Sequence, residues 1–308
     1  MSHRRSLIAL LSVGLMISAC GGDDDGATST TSAVDVTSST TTREATTTTN
    51  EPTTTSEATT TTTEAVTTTV AGTSTRATTN RPDDDPGAPK VHVLYLTPSD
   101  GPDDRLDTDG SIAGSMESSM RWLESQIDRR IRLDTFQGEL DVTFHRLPRT
   151  SDEYFAEGVF IRDAIEADII TAGFDAPLTV YAAYYAGPAE DCASAFNPET
   201  LPGTTVVRYW AHVGPGEAPC VPDDFAQAGD PPGAWEFGIT HELFHAMGAV
   251  ETCAPNHFEG HVGDHPNDLM YRGDEPWHPE QIDIGNDDYY GHGDLGCTDV
   301  ARAPYWAS

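Results

Sequence analysis

Positive charge is what this sequence lacks most. Its 308 residues carry 17 Lys and Arg against 50 Asp and Glu, a formal net charge of −33, and Lys90 is the only lysine. Holding a phosphate backbone requires a basic footprint, and adhering to anionic headgroups requires basic clusters. Nucleic acid is therefore excluded as a partner, and so is an electrostatic grip on a membrane surface. The imbalance does not come from a tail, because from Ala88 onward 12 basic residues stand against 39 acidic ones. Large apolar residues are nearly missing from Ala27 to Asn80, where about half the residues are threonine. Such a tract cannot bury enough surface to offset its ordering entropy. No apolar run reaches the roughly 20 residues that a membrane-spanning helix needs. Cysteine is scarce, five in all, and no Ser/His/Asp or Cys nucleophile pattern is present.

What is there begins with an address. His3-Arg4-Arg5 precedes an apolar run from Leu7 to Ile17, too short to span a bilayer and suited to a secretory signal peptide. Ile17-Ser18-Ala19-Cys20 follows and resembles a bacterial lipobox, which implies cleavage before Cys20 and its lipidation. The expected organisation is a lipoprotein signal peptide over residues 1–19, a lipidated Cys20 with a disordered threonine-rich linker to residue 88, and a folded domain over 89–308. Setting Cys20 aside leaves Cys192, Cys220, Cys253 and Cys297, an even set that fits an oxidising exterior. Four cysteines allow three pairings, and proximity in sequence favours Cys192–Cys220 with Cys253–Cys297.

The folded part reads as α/β (α+β). Val91 to Leu96 is a β-branched and aromatic first strand. The acidic loop after it contains Asp107-Thr108-Asp109-Gly110 but puts Arg105 at the first ligand position, so it is not an EF-hand, whose ligands are oxygens. Ser111 is expected to cap a helix running to about Ile131, with Ile112, Met116, Met120, Leu123 and Ile127 on one face. Strands are expected over Arg132–Phe136 and Leu140–Leu147, around Gly138. A helix opening at Ser151 is expected to carry Phe155, Val159 and Ile165 into the core. Leu178–Tyr185 and Thr204–Val213 read as further strands, with loops around Cys192 and Cys220.

One helix, expected over Trp235–Ala249, carries the chemistry. It contains His241-Glu242-Leu243-Phe244-His245. Histidines four apart on an α-helix lie about 40° apart around the axis and one turn along it. Both rings then reach one point at about 2.0–2.1 Å, the Zn–N distance. Glu242 sits about 100° round, beside such a metal, where a general base for zinc-bound water belongs. Gly248 offers the helix a left-handed exit.

HExxHxxG followed by Asp268-Leu269-Met270-Tyr271 resembles the metzincin metalloproteases, over about Ile239 to Gly291. The resemblance implies a small twisted mixed sheet with packed helices, an HExxH active-site helix and a loop-rich C-terminal subdomain. It implies Zn²⁺, with Met270 as the methionine floor beneath the ligands, and an edge strand that pairs with the substrate, for which Thr204–Val213 is the candidate. The third ligand departs from the pattern, since Glu251 stands where the family places His or Asp. His261 leads as the third ligand, with Glu251 and His257 as alternatives, because neutral imidazole is the commoner zinc ligand. Tyr271, Tyr289 and Tyr290 are candidate oxyanion donors, Tyr271 first. Asp283, Asn286, Asp287, Asp288 and Asp294 form an oxygen-rich segment, a candidate Ca²⁺ site set against an acidic solvated loop.

The resulting expectation is zinc-dependent hydrolysis of peptide bonds at the bacterial cell surface by a monomer. Its substrate is a peptide or protein, its only membrane contact is the lipid anchor, and secretion is the alternative location. A cell-wall peptide or amide hydrolase, or a non-catalytic surface binding module, are the competing functions.

Overall fold

The computed structural model describes residues 76–195, 205–209 (backbone only), 220 and 225–307. The expected signal peptide, Cys20 and the linker up to residue 75 lie outside the described residues.

Two largely apolar strands are buried almost without interruption, β1 (Lys90–Thr97) and β5 (Thr179–Tyr185). Continuous apolar strands are the mark of a parallel sheet covered on both faces, and the two pair in parallel from Lys90/Thr179 to Leu96/Tyr185. Their side chains alternate between two cores. Val91, Val93, Tyr95, Val180, Ala182 and Tyr184 face one, and Leu94, Leu96, Tyr181, Ala183 and Tyr185 face the other. The first core is covered by α1 (Ser111–Ile127), α4 (Ala234–Ala246) and the C-terminal loops; the second by α3 (Ile161–Thr171) and Tyr154 of α2 (Ser151–Phe155).

The sheet has the order β4-β1-β5-β7-β6, with β4 at Val142–Arg146, β6 at Ala193–Ser194 and β7 at Thr205–Tyr209. All neighbours are parallel except β6, which runs antiparallel to β7. A small hairpin of β2 (Thr135–Phe136) and β3 (Glu139–Leu140) turns at Gln137-Gly138, both at positive φ. The fold is thus the expected mixed α/β sheet with packed helices. After α4 the described chain is loop-rich, holding only the hairpin β8 (His257–Phe258) and β9 (His261–Val262) and a 3₁₀ turn at Val300–Arg302. Among the described residues no helix is long and apolar enough to cross a membrane.

Several expectations needed correction. The helix from Ser111 ends at Ile127, not Ile131, because Asp128 turns left-handed at φ 54°. Its N-cap is Gly110, and the Ser111 N–H donates to Asp109 Oδ1 at 2.8 Å, so Ser111 is the first helical residue and not the cap. The segment from Ser151 is three short pieces, and only Ile165 of the expected apolar face is buried. Phe155 is 42% and Val159 57% exposed. The cause is the interruption at 156–160, which removes those residues from the register of α3.

Packing onto the domain begins before residue 89. Ala77 bridges Thr143 on the outer side of β4, and the Arg76 guanidinium lies 3.5 Å over the Phe144 ring while pairing with Asp103 and Asp107. Arg81 pairs with the buried Asp141, and Arg132 and Lys90 converge on Asp83. In a domain this acidic, the few cations of the linker's end find carboxylates readily, and Asp107 serves this clamp.

Helix α4 is fixed to α1 by one buried carboxylate. Glu236, fully buried, accepts from Ser115 Oγ at 2.5 Å, Ala226 N at 3.1 Å and Gly233 N at 2.9 Å. Replacing it with alanine strands three donors, at about 1–3 kcal/mol each. Glu236→Ala is expected to lower the denaturant midpoint by an amount worth about 3 kcal/mol or more, at unchanged m-value. A loss under about 1 kcal/mol would show that the carboxylate does not anchor the helix.

Candidate metal centre

Helix α4 presents its histidines because of where it stops. Gly248 takes φ 97°, its N–H donates to His245 O at 2.9 Å, and Ala249 N–H donates to Phe244 O at 2.9 Å. These two bonds form a Schellman cap. Val250 follows at φ 57° and turns the chain away from the helix axis. Glu251 therefore does not fold back over the histidines. Its oxygens accept from Thr298 N at 3.2 Å and Thr298 Oγ1 at 2.6 Å, beside the second disulfide.

The cysteines pair as 192–220 and 253–297, with Cα separations of 5.8 and 5.7 Å. The second closes the loop in which the third histidine lies. Within that loop Glu259 and Gly260 both have positive φ, the requirement of a two-residue type I′ turn. This turn pairs His257 with Val262 and Phe258 with His261. His257 Nε2 accepts from Gly260 N at 3.0 Å, so this alternative ligand braces the turn. The hairpin then docks beside residues 270–272, with Val262 N to Met270 O at 3.0 Å and Arg272 N to Val262 O at 2.9 Å.

The result brings His241, His245 and His261 together. Ring centroids lie 4.8 Å (241–245), 5.1 Å (241–261) and 4.8 Å (245–261) apart, and one nitrogen from each ring falls within 4.8 Å of the others. Hydrogen bonds assign two of the tautomers. His241 Nδ1 donates to Leu269 O at 2.8 Å and His261 Nδ1 donates to Glu259 O at 3.0 Å, so in each neutral ring Nε2 holds the lone pair. His245 Nε2 and His261 Nε2 are 3.3 Å apart. Two ligands at 2.0–2.1 Å on a tetrahedral ion stand about 3.3 Å apart, so this pair has the zinc spacing, and three neutral imidazoles are a donor set that zinc takes. Burial holds His245 well below the usual imidazole range, with His241 and His261 adding to the effect, and burial also lowers His261. Both shifts favour the neutral form that a metal requires.

Glu242, 8% exposed, is adjacent to His241 on the same helix. Met270 is fully buried in the core that contains α4. Tyr271 OH accepts from Glu275 N at 3.2 Å, which ties this candidate oxyanion donor to its own loop. Tyr289 is fully buried and its O–H donates to Asp268 Oδ1 at 2.7 Å; Tyr290 packs on Trp306. The oxygen-rich segment draws Asp283, Asp287 and Asp288 within 4.8 Å. Asp283 Oδ2 accepts from Tyr289 N and Tyr290 N at 2.8 and 2.6 Å, and Asp288 accepts from Asn256 N and Nδ2, while Asp294 accepts from Gly296 N. These contacts knit loops together. The expected substrate strand needs correction: β7 is flanked by β5 and β6, and among the described residues the sheet edge on that side is Ala193–Ser194. Residues 204 and 210–213 of the expected strand lie outside the described residues.

Three residues around the site have no role assigned from the sequence. Trp277 stands edge-on to the His241 ring at 5.7 Å, and its Nε1–H donates to Leu269 O at 3.2 Å. No local pattern marks it. Asp268 is almost fully buried, and burial pushes its carboxyl up to about 7. Glu236 was legible, being three residues after Gly233 at a helix start.

No protein-family model matches the chain, and no curated protein does. Among solved structures the chain is similar to archaemetzincin from Methanopyrus kandleri, at 17% identity and a TM-score of 0.33, over 59% of this chain and 81% of that one. It is also similar to OgpA from Akkermansia muciniphila, at 12% identity and a TM-score of 0.34, over 69% of this chain and 60% of that one. A second OgpA structure, of a catalytically inactive form with an O-glycopeptide substrate, matches at a TM-score of 0.31 over 59% of this chain and 52% of that one. At these scores the likeness assigns neither residue nor activity.

Proposed function

We propose that this chain is a zinc-dependent hydrolase of peptide bonds, held outside the cell by a lipid on Cys20. The observation that carries the reading is the convergence of His241, His245 and His261, two of them fixed by backbone carbonyls with Nε2 as the lone-pair nitrogen. His241, His245 and His261 would hold a zinc ion, which would supply acidification of a water and polarisation of a carbonyl. Glu242 is the proton carrier: its carboxylate takes a proton from the attacking water and returns it to the departing amine nitrogen. Leu269 O fixes the His241 ring, and Glu259 O fixes the His261 ring. Main-chain pairing along the edge at Ala193–Ser194 orients an extended peptide. The acidic surface disfavours acidic peptides and adds no hold on the membrane beyond the anchor.

The purified chain is expected to contain about one zinc per molecule. Dialysis against a strong chelator removes the metal together with hydrolysis of an unstructured protein substrate, and stoichiometric zinc restores both. A preparation free of zinc, or hydrolysis that survives its removal, refutes the reading. Digestion of purified cell wall in place of protein points to the wall peptide as substrate.

A further inference from the structure

Two segments far apart in sequence, Asp268-Leu269-Met270-Tyr271 and Asp287-Asp288-Tyr289-Tyr290, meet inside the fold. Asp268 Oδ1 accepts from Tyr289 O–H and from Met270 N–H, both at 2.7 Å, and Oδ2 accepts from Ile284 N–H at 2.9 Å. On the other side of the turn, Leu269 N–H donates to Gln281 O at 2.9 Å. With its N–H pinned there and the flanking Asp268 and Met270 held by the carboxylate, the Leu269 peptide has one orientation. Its carbonyl receives His241 Nδ1–H at 2.8 Å and Trp277 Nε1–H at 3.2 Å. Tyr289 in turn lies edge-on to Phe244 at 6.1 Å, and Phe244 belongs to the helix that carries His241 and His245.

We propose that Asp268 and Tyr289 are positioning residues of the metal centre: their buried hydrogen bond locks the 268–271 turn so that Leu269 O selects the His241 tautomer and ring angle. This rests on the reading of the three histidines as zinc ligands. Neither residue touches the metal or the substrate. Their effect passes through one carbonyl, as hydrogen-bond partners behind metal ligands act in general.

The experiment compares wild type with Tyr289→Phe and Asp268→Asn in the full chain. Zinc affinity is measured by competition with a chromophoric chelator, and ligand geometry by the visible absorption band of the Co²⁺-loaded protein. Each variant is expected to bind zinc about 10–100-fold more weakly and to show a shifted cobalt band. Tyr289→Phe keeps the ring and its packing on Phe244, so it remains decisive if Asp268→Asn does not fold. A folded Tyr289→Phe with wild-type affinity and an unchanged band, whatever its unfolding temperature, overturns the proposal, because that is the signature of a merely structural pair. A wild type that binds no zinc refutes this proposal and the functional reading together. A wild type that binds zinc without cleaving peptides refutes only the functional reading, and the affinities still decide the positioning.

Discussion

Glu242→Gln is expected to retain about one zinc per chain and to hydrolyse peptides about 10²–10⁴-fold more slowly. Glutamine keeps the volume of the side chain and its place on α4 but cannot take up a proton at neutral pH. The helix itself is held by Glu236 and by the cap at Gly248, neither of which the substitution touches. Metal content and turnover are thus expected to separate, which a misfolded protein does not show. The comparison of zinc content with turnover, made on one preparation, checks this. Activity within a few-fold of wild type would remove Glu242 from the chemistry and favour a non-catalytic zinc site.

His261→Ala is expected to lose the metal. A structural zinc site with four ligands is worth roughly 10–16 kcal/mol, or about 3–4 kcal/mol for each ligand. Removing one should weaken binding by about 10²–10³-fold, enough for dialysis to strip the ion. His257→Ala and Glu251→Ala serve as the contrast. His257 braces a turn through Gly260 N, and Glu251 holds Thr298, so each should cost stability of about 1–2 kcal/mol and leave one zinc in place. Metal analysis of the three variants settles the assignment. Zinc kept in His261→Ala but lost in either of the others would transfer the third position to that residue.

Much of this architecture could be read before folding was considered. The runs at Val91–Leu96 and Leu178–Tyr185 announce strands, while the two cores that cover their faces belong to the tertiary structure. The histidine pair needs nothing but the pitch of a helix, and Gly248 is where glycine is wanted. The pairing Cys192–Cys220 and Cys253–Cys297 agreed with nearness in sequence. Where the structure departs from the expectation, tertiary contacts override the local pattern. Ser111 looks like a cap, but Asp109 reaches its N–H first and Gly110 supplies the left-handed turn. Phe155 and Val159 fit a helical stripe that a break at 156–160 interrupts. Thr204–Val213 was expected at the sheet edge, but among the described residues Val207 and Arg208 are paired on that side by Ala193–Ser194, a two-residue strand too short to notice in a loop.

The sequence by itself determined the helix that carries two histidines one turn apart with a carboxylate between them, because spacing along a regular helix fixes direction. It did not determine the third histidine. Several candidates stood within twenty residues of His245, on a loop with no period to orient them. His261 is brought beside His241 and His245 by a type I′ turn at Glu259-Gly260, a disulfide at Cys253–Cys297 and backbone bonds from Val262 to the Met270 segment. Those contacts join residues far apart along the chain, and only the closed tertiary structure brings them within reach of each other.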